Sequence, residues 1–372
     1  MTLNDVCEFI VDCPHSTAKD EGVGYPLIRT PNVGRGRLIL NDVHRVSEAA
    51  YQKRNLRATP QDDDLIMARE APAGNVAIIK NGEKVCLGQR TVLLRPDKTK
   101  VYPDYLAYYL LAPQQQYGLL GTANGATVAH VNIPVIKTLP VTLPSIERQK
   151  KAADILIAYD DLIENNQRQI KLLEEAAQRL YKEWFVDLRY PGHEKVPVVD
   201  GVPEGWKQKK VTDLLQIRYG KDHKSLADGN IPVYGSGGIM RKVKPILYSG
   251  ESVLIPRKGS LNNILFVDGD FWTIDTMFYS IPQMVNVAKY CYLFLSRLDM
   301  YSFNIGAAVP SMTVNILEGI DILLPNEQVL SMFENRMKQI FDQKKLLVKQ
   351  NEFASEARDR LLPKLMSGEI AF

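Results

Sequence analysis

Residues 147 to 185, ERQKKAADILIAYDDLIENNQRQIKLLEEAAQRLYKEWF, place their apolar side chains alternately three and four apart. Leu156, Tyr159, Ile163, Asn166, Ile170, Leu173, Ala177, Leu180 and Trp184 fall on that spacing, and eight of the nine are apolar. So narrow a seam is the a/d stripe of a coiled coil, not the broader face of a helix buried in a globular core. A helix over these residues would be about 60 Å long at 1.5 Å per residue. It stops where Tyr190-Pro191-Gly192 breaks the pattern. Asn166 is the one polar seam position; it either fixes register or lies half exposed near a splayed end.

A second stripe occupies the last part of the chain: Met337, Ile340, Phe341, Leu347, Val348, Ala354, Leu361, Leu362 and Leu365. Lys344, Asn351 and Arg358 interrupt it at seven-residue steps, which implies a surface turned to solvent or to a partner. Pro363 is expected to kink or end this helix near Leu362. Neither helix is apolar all round, so each needs a partner, and the obvious partner is the other.

Two such helices prompt a search for duplication. Val131-Asn132-Ile133 recurs as Val314-Asn315-Ile316, Leu143-Pro144 as Leu324-Pro325, and Arg179-Leu180 as Arg360-Leu361. Further back, Tyr105 to Leu110 falls on Tyr290 to Leu295, Asp64 to Arg69 on Ser252 to Arg257, and Leu3 to Phe9 on Val211 to Ile217. A mixed domain followed by a long helix therefore occurs twice. Its apolar runs are short and β-rich, as in Asn75 to Ile79 and Ile264 to Val267. Asn81-Gly82 and Asp268-Gly269 read as hairpin turns, helices are expected over 103–112 and 287–298, and Tyr190 to Gly205 reads as a loop. The fold class is α+β: two similar mixed α/β domains separated by two long coiled-coil helices, with an internal pseudo-twofold repeat. The expected division is 1–145 first domain, 146–190 central helix, 191–202 linker, 203–325 second domain and 326–372 C-terminal helix.

With 372 residues, 45% hydrophobic and 24% charged, the chain has the make-up of a globular protein of two or three folding units. No run of 18 apolar residues exists to span a bilayer, and the N-terminal residues lack a signal-peptide pattern, so a cytoplasmic location is expected. Cys7, Cys13, Cys86 and Cys291 have no C-x-x-C spacing and read as buried small hydrophobes. Neither a metal nor a disulfide framework is indicated.

The net charge of +3 conceals a segregation. Residues 29–57 carry seven Lys/Arg against two acids, and residues 207–258 carry eleven against four, whereas 259–325 carry two against six. The basic excess lies in the front half of each repeat, in loops rich in Gly, Asn and Ser. Arg29-Thr30-Pro31-Asn32-Val33-Gly34-Arg35-Gly36-Arg37 stands out, because glycines let backbone approach phosphates while an Arg can take guanine O6 and N7 together. Its alternative is a solvated Arg-rich turn. Enzyme motifs are missing: there is no phosphate-loop signature, no methyltransferase Asn-Pro-Pro-aromatic motif, and no H-E-x-x-H among the five histidines. Asp62-Asp63-Asp64 reads as a polar turn, not a metal cluster.

The junctions His130-Val131-Asn132-Ile133…Leu143-Pro144-Ser145-Ile146-Glu147-Arg148-Gln149 and Val314-Asn315-Ile316…Leu324-Pro325-Asn326-Glu327-Gln328 complete the picture. Together with Pro203-Glu204-Gly205-Trp206 and the C-terminal Arg360-Leu361-Leu362-Pro363-Lys364-Leu365-Met366-Ser367-Gly368-Glu369-Ile370, they resemble the specificity subunit of type I restriction–modification systems over essentially the whole chain. The resemblance implies a non-catalytic DNA-binding chain whose two target-recognition domains each read one half of a bipartite double-stranded target. It implies two long helices that pack antiparallel, set the spacing and dock two methyltransferase subunits, which bring S-adenosylmethionine, and through them motor-nuclease subunits. It also implies roles in DNA methylation and phage defence, with no cofactor held by this chain.

Candidate DNA-binding residues are Arg29, Asn32, Arg35, Arg37, Arg69, Gln89 and Arg90 in the first domain. In the second they are Lys221, His223, Lys224, Tyr234, Arg241, Lys242, Arg257, Asn262 and Asn263. Coiled-coil positions are the nine of the first seam and Ile340, Leu347, Ala354 and Leu361. Two other classes share part of the pattern. One is a recognition subunit of a related type II-like restriction system, told apart by its partner. The other is a non-DNA coiled-coil adaptor, against which the basic front halves argue.

Overall fold

The computed structural model describes residues 1–121, 130–306 and 308–370. The chain forms two compact units, Met1–Gln167 with Val348–Phe372, and Arg168–Leu347. The last two residues of the C-terminal division, Ala371 and Phe372, lie outside the described ones.

The first unit is built on a five-stranded mixed sheet of β1 (Cys7–Asp12), β2 (Gly36–Arg37), β3 (Leu65–Ala68), β4 (Val76–Ile78) and β5 (Thr91–Pro96), in the order β1-β5-β3-β4-β2. Leu65 and Met67 point to one core, Ile66 and Ala68 to another. With both faces covered, the strand reads as a continuous apolar run instead of alternating. On one face lies α1 (Pro103–Leu111), all of whose residues are buried. The Val-Asn-Ile segment starts the short helix α2 (Ile133–Thr138), and the long helix α3 (Ile146–Tyr181) follows.

The second unit repeats this plan. Its sheet holds β6 (Leu215–Tyr219), β7 (Asp228–Gly235), β8 (Gly238–Val243), β9 (Tyr248–Pro256), β10 (Leu265–Thr273) and β11 (Met277–Pro282) in the order β6-β11-β9-β10-β7-β8. After it come α4 (Ala288–Leu295), α5 (Val314–Gly319) and the long helix α6 (Glu327–Ser367). Strand for strand, β6, β11, β9, β10 and β7 take the places of β1, β5, β3, β4 and β2. The one parallel pairing of each series also recurs, β2 on β4 and β7 on β10. The entry is duplicated as well: Leu3 N donates to Leu139 O at 2.8 Å, and Val211 N to Ile320 O at 3.0 Å. The duplication inferred from scattered sequence matches is therefore a repeat of topology.

Each unit also contains a stretch of two paired long helices, and within each the pairing is antiparallel. In the first unit Leu156 and Ala153 share a core with Leu362 and Leu365. In the second, Trp184 packs its ring against Phe333, with centroids 5.6 Å apart. Of the expected seam positions, Leu156, Asn166, Ala177, Trp184, Leu347 and Ala354 are buried; Tyr159, Ile163, Ile170, Leu173, Leu180, Ile340 and Leu361 are half-buried.

Several expectations need correction. Lys344, Asn351 and Arg358 do not turn away from the helix pair. Lys344 meets Glu174 at 2.5 Å, Asn166 Nδ2 donates to Asn351 Oδ1 at 3.0 Å, and Arg358 meets Asp160 at 2.6 Å. They are polar rungs between the helices, and Asn166, only 2% exposed, belongs to one of them. Pro363 lies inside α6, which continues to Ser367; one missing amide is tolerated in a last turn packed on both sides by Leu362 and Leu365. Asn81-Gly82 has the two left-handed residues of a tight turn (φ 59° and 69°), yet its flanking strands enter different sheets, because Cys86–Leu87 pairs with Tyr25–Ile28. Asp268-Gly269 is no turn at all. It sits inside β10, where Gly269 opposes Gly250 of β9. Finally, the 190–205 segment contains a small hairpin, Val198–Val199 with Val202–Pro203, turned by Asp200-Gly201.

Candidate nucleic-acid interface

One end of each sheet is knotted by the same three backbone hydrogen bonds. In the first unit Arg69 N donates to Arg90 O at 2.8 Å, Val131 N to Arg69 O at 2.9 Å, and Cys13 N to Thr91 O at 3.3 Å. In the second, Arg257 N donates to Thr276 O at 2.8 Å, Met312 N to Arg257 O at 2.9 Å, and Gly220 N to Met277 O at 3.0 Å. Arg69 and Arg257 are thus equivalent residues following equivalent strands, β3 and β9. Asp12 and Tyr219, the last residues of β1 and β6, are equivalent too.

The side chains at these ends differ. Arg69 is 8% exposed and spends its guanidinium inside the unit. Nε donates to Val131 O, Nη1 to Asp12 Oδ1, and Nη2 faces His130 Nε2, each at 2.9 Å. His130 Nδ1 meets Glu70 Oε1 at 2.8 Å, the other Glu70 oxygen takes Arg90 Nη1 at 2.5 Å, and His15 Nε2 closes on Asp12 at 3.1 Å. Arg257 instead lies 5.4 Å over the Tyr219 ring and donates to Asp275 O at 3.2 Å. An ion pair in one repeat is replaced by a cation–π contact in the other.

Part of the Gly/Arg stretch is engaged within the unit. Asn32 is buried, accepts from Arg29 N at 3.1 Å and donates to Ile39 O at 3.2 Å. Arg37 donates to Asp161 of α3 at 3.0 Å. Gly36, at φ 96°, passes so close to α3 that an added Cβ would stand 2.9 Å from Asp160 Oδ2. Arg29 is half-buried, while Arg35 is exposed, with Nη2 3.4 Å from Leu111 O. Gln89 is half-buried, and the Arg90 side chain is 63% exposed.

In the second unit Lys221, Lys224 and Lys242 are exposed. Trp272 Nε1 donates to Lys221 O at 3.0 Å. His223 is half-buried, and its carbonyl takes Arg241 Nη1 at 3.4 Å. Arg241 also donates to Leu226 O at 3.0 Å and Asp228 at 2.5 Å. Tyr234 sits edge-on to Phe271. Asn262 is a loop cap, accepting from Met300 N at 2.7 Å, and Asn263 holds the Ser236 carbonyl at 2.8 Å. Glu70, His130, Asp12, Tyr219 and Lys258 are the site neighbours that sequence reasoning missed. In the first unit Asp12 and His130 lie 118 positions apart, in the second Tyr219 and Lys258 lie 39 apart, and only the matched strands of each unit bring each set together.

Among the described residues no group of three His, Cys, Asp or Glu is arranged to hold a metal. Asp63 pairs with Lys80 and Lys98, and Asp64 with Arg95, which fits the polar-turn reading. All four cysteines are buried and free, and burial pushes the Cys86 thiol up to about 11, the mark of an inert thiol.

Comparison with known proteins agrees with this geometry. The family described as type I restriction modification DNA specificity domain matches residues 1–175 and 203–347. The MjaIX type I restriction enzyme specificity subunit of Methanocaldococcus jannaschii is 27% identical over 356 residues, covering 87% of this chain and 81% of that one. The HindI type I restriction enzyme specificity subunit of Haemophilus influenzae is 21% identical and covers 92% and 94%. A solved structure, the type I restriction–modification S subunit from M. genitalium, shares the fold at a TM-score of 0.54 and 17% identity, covering 98% of this chain and 95% of that one.

Proposed function

We propose, from the premise that this chain belongs to the type I restriction–modification DNA specificity family, which of its residues meet DNA and which meet protein. The chain is the DNA-specificity subunit of a type I restriction–modification complex, reads a bipartite target and docks methyltransferase partners. The observation that carries the reading is the repeated sheet end: one scaffold, closed by the same backbone bonds, with different side chains on it in each repeat. Two similar but unequal readers suit a target whose halves differ.

The DNA-facing set is led by the exposed cations Arg35 and Arg90 in the first repeat and Lys221, Lys224 and Lys242 in the second. Half-buried Arg29, Gln89, His223 and Tyr234 line the same basic halves. Asn32, Arg37, Arg69, Arg241, Arg257, Asn262 and Asn263 shape these surfaces from behind, since their polar atoms are engaged within the unit. The division at residues 145, 190, 202 and 325 separates readers from helices. Exposed Leu162 and Phe353 in the first unit, and Leu172 and Leu346 in the second, are apolar side chains on long helices that methyltransferase subunits would cover. Those subunits would carry S-adenosylmethionine and recruit the motor-nuclease subunits. No helix among the described residues is long and apolar enough to cross a membrane, and a cytoplasmic place beside the DNA completes the reading.

The test is to express this chain with its methyltransferase partner and sequence the DNA for methylated bases. A split, non-palindromic motif is expected. Methylation at one contiguous or palindromic motif would overturn the two-reader assignment.

A further inference from the structure

The relay at the end of the first sheet determines its own proton positions. A guanidinium can only donate, so His130 Nε2, 2.9 Å from Arg69 Nη2, accepts. The ring proton then sits on Nδ1 and points at Glu70 Oε1, 2.8 Å away. This leaves one Glu70 oxygen anchored by His130 and the other directed to Arg90. Arg69, each of whose three guanidinium nitrogens has a partner, anchors the relay from the opposite side.

Arg90 is the outward end of this chain. Its backbone is left-handed, φ 64°, a conformation that costs a side-chain-bearing residue free energy and persists where the surroundings impose it. Its backbone carbonyl takes the Arg69 amide, which holds it at the entry to β5. An ion pair this exposed adds little stability, so the relay is a poor staple. It is a good mount, because Glu70 holds one nitrogen of the fork while the side chain stays 63% exposed. Pairing with Glu70 also cancels most of the net charge, which weakens Arg90 as a phosphate ligand but not as a donor to a neutral base edge.

We propose that Arg90 is a specificity-determining residue of the first repeat, reading a guanine of the first half-target through O6 and N7, with Glu70 and His130 as its positioning residues. The proposal rests on the DNA-specificity reading above. The second repeat is built to read something else, because Lys258 follows Arg257 where Glu70 follows Arg69, and Thr276 stands where Arg90 stands.

The experiment uses the full chain assembled with its methyltransferase partner, maps methylated motifs, and measures competition by sequence variants of the mapped target. Arg90→Ala is expected to relax one guanine position in one half of the motif, with discrimination there falling by about tenfold to a hundredfold. Glu70→Gln should relax the same position less. Arg90→Lys should not restore it, because an ammonium lacks the planar fork. A wild-type thermal midpoint for Arg90→Ala establishes that the variant folds. The proposal is overturned if the half-target read by the first repeat contains no guanine, if Arg90→Ala leaves the motif unchanged, or if it weakens all sequences equally, as a phosphate contact would. Glu70→Gln acting at a different position removes the positioning role. Absence of any sequence-specific methylation by the wild-type assembly is a separate result, which sinks the DNA-specificity reading itself.

Discussion

Replacing Arg358 by methionine should destabilise the first unit by about 3 kcal/mol, at the low end of the cost of breaking a buried ion pair. Asp160 is 4% exposed. One of its oxygens takes Arg358 Nη1 at 2.6 Å, and the other takes the Tyr108 hydroxyl, also at 2.6 Å. The change strands the carboxylate with one neutral donor, while methionine keeps the packing of the arginine stem. The low end applies because Tyr108 stays and the Arg358 side chain is 17% exposed. Each kcal/mol moves the midpoint of a unit this size by about 2–4 °C, so a fall of about 6–12 °C is expected. Burial, and then the Asp160 charge, push the Tyr108 hydroxyl far above the usual tyrosine range, so it remains a donor at any ordinary pH. The decisive comparison is the triple variant Asp160→Leu, Arg358→Met, Tyr108→Phe. It removes the buried carboxylate and both of its partners together, leaves Arg37 its partner Asp161 and releases only the exposed Asp359, and should lie within about 1 kcal/mol of wild type. Scanning calorimetry of the full chain, with hydrogen exchange over 103–111 to identify the first unit, measures both. A single variant losing less than about 1 kcal/mol beside a triple variant losing more than about 3 kcal/mol would refute the claim that this rung is desolvated.

Gly36→Ala should cost about 1–3 kcal/mol, seen as a lower urea midpoint, because it combines φ 96° with a Cβ 2.9 Å from Asp160 Oδ2. Lys289, 5% exposed, bonds Glu251 and Glu334, the latter at 2.6 Å. Burial pulls its ammonium down, but hydrogen bonds to both acids outweigh that and hold it above the ordinary 10.5. Its stabilisation is therefore complete below that value and is lost as pH rises through the raised one. Glu334 is already raised above the ordinary 4.5 by burial, with Lys289 opposing, so Lys289→Met should raise it further. The variant is then expected to lose stability as pH rises past the ordinary glutamate value, with a larger deficit at about pH 8 than at about pH 5 in urea titrations; an equal deficit at both would count against it.

The helix pair is legible in the sequence because a 3.5-residue period survives any local irregularity. Ile146–Tyr181 begins within one residue of the expected start, and the wider turn Lys182–Val186 carries it to Trp184 and Phe185. What stays hidden is the partner of each polar seam residue. Arg358 looks like a defect until Asp160 is known to face it, and that requires the register of a helix nearly 200 positions away. Turn signals fail in the same way. Asp268-Gly269 has the composition of a hairpin, but Gly269 lies across the ladder from Gly250, so a strand runs where local chemistry favours a bend. The Arg29–Arg37 stretch draws the eye toward DNA, yet Gly36 and Arg37 are spent on α3. There the glycine serves close packing and the arginine an ion pair, needs that cannot be told from phosphate binding without the neighbouring chain.

Arg69 and Arg257 show how a repeat separates support from recognition. Equivalent in strand position and in the two backbone bonds that each makes, they share a task, which is to tie the first strand to the segment after the central one. The partner is free to change, from Asp12 to Tyr219, because either an anion or an aromatic face satisfies a guanidinium. The same exchange appears deeper, where buried Asp104 pairs with Lys80 in one repeat and buried Lys289 pairs with acids in the other. Charge can invert at a matched position provided its partner inverts too. A scaffold held by backbone bonds and locally compensated charges tolerates replacement of the side chains mounted on it. That tolerance is what a chain needs if its two readers are to diverge toward different half-targets while keeping one fold.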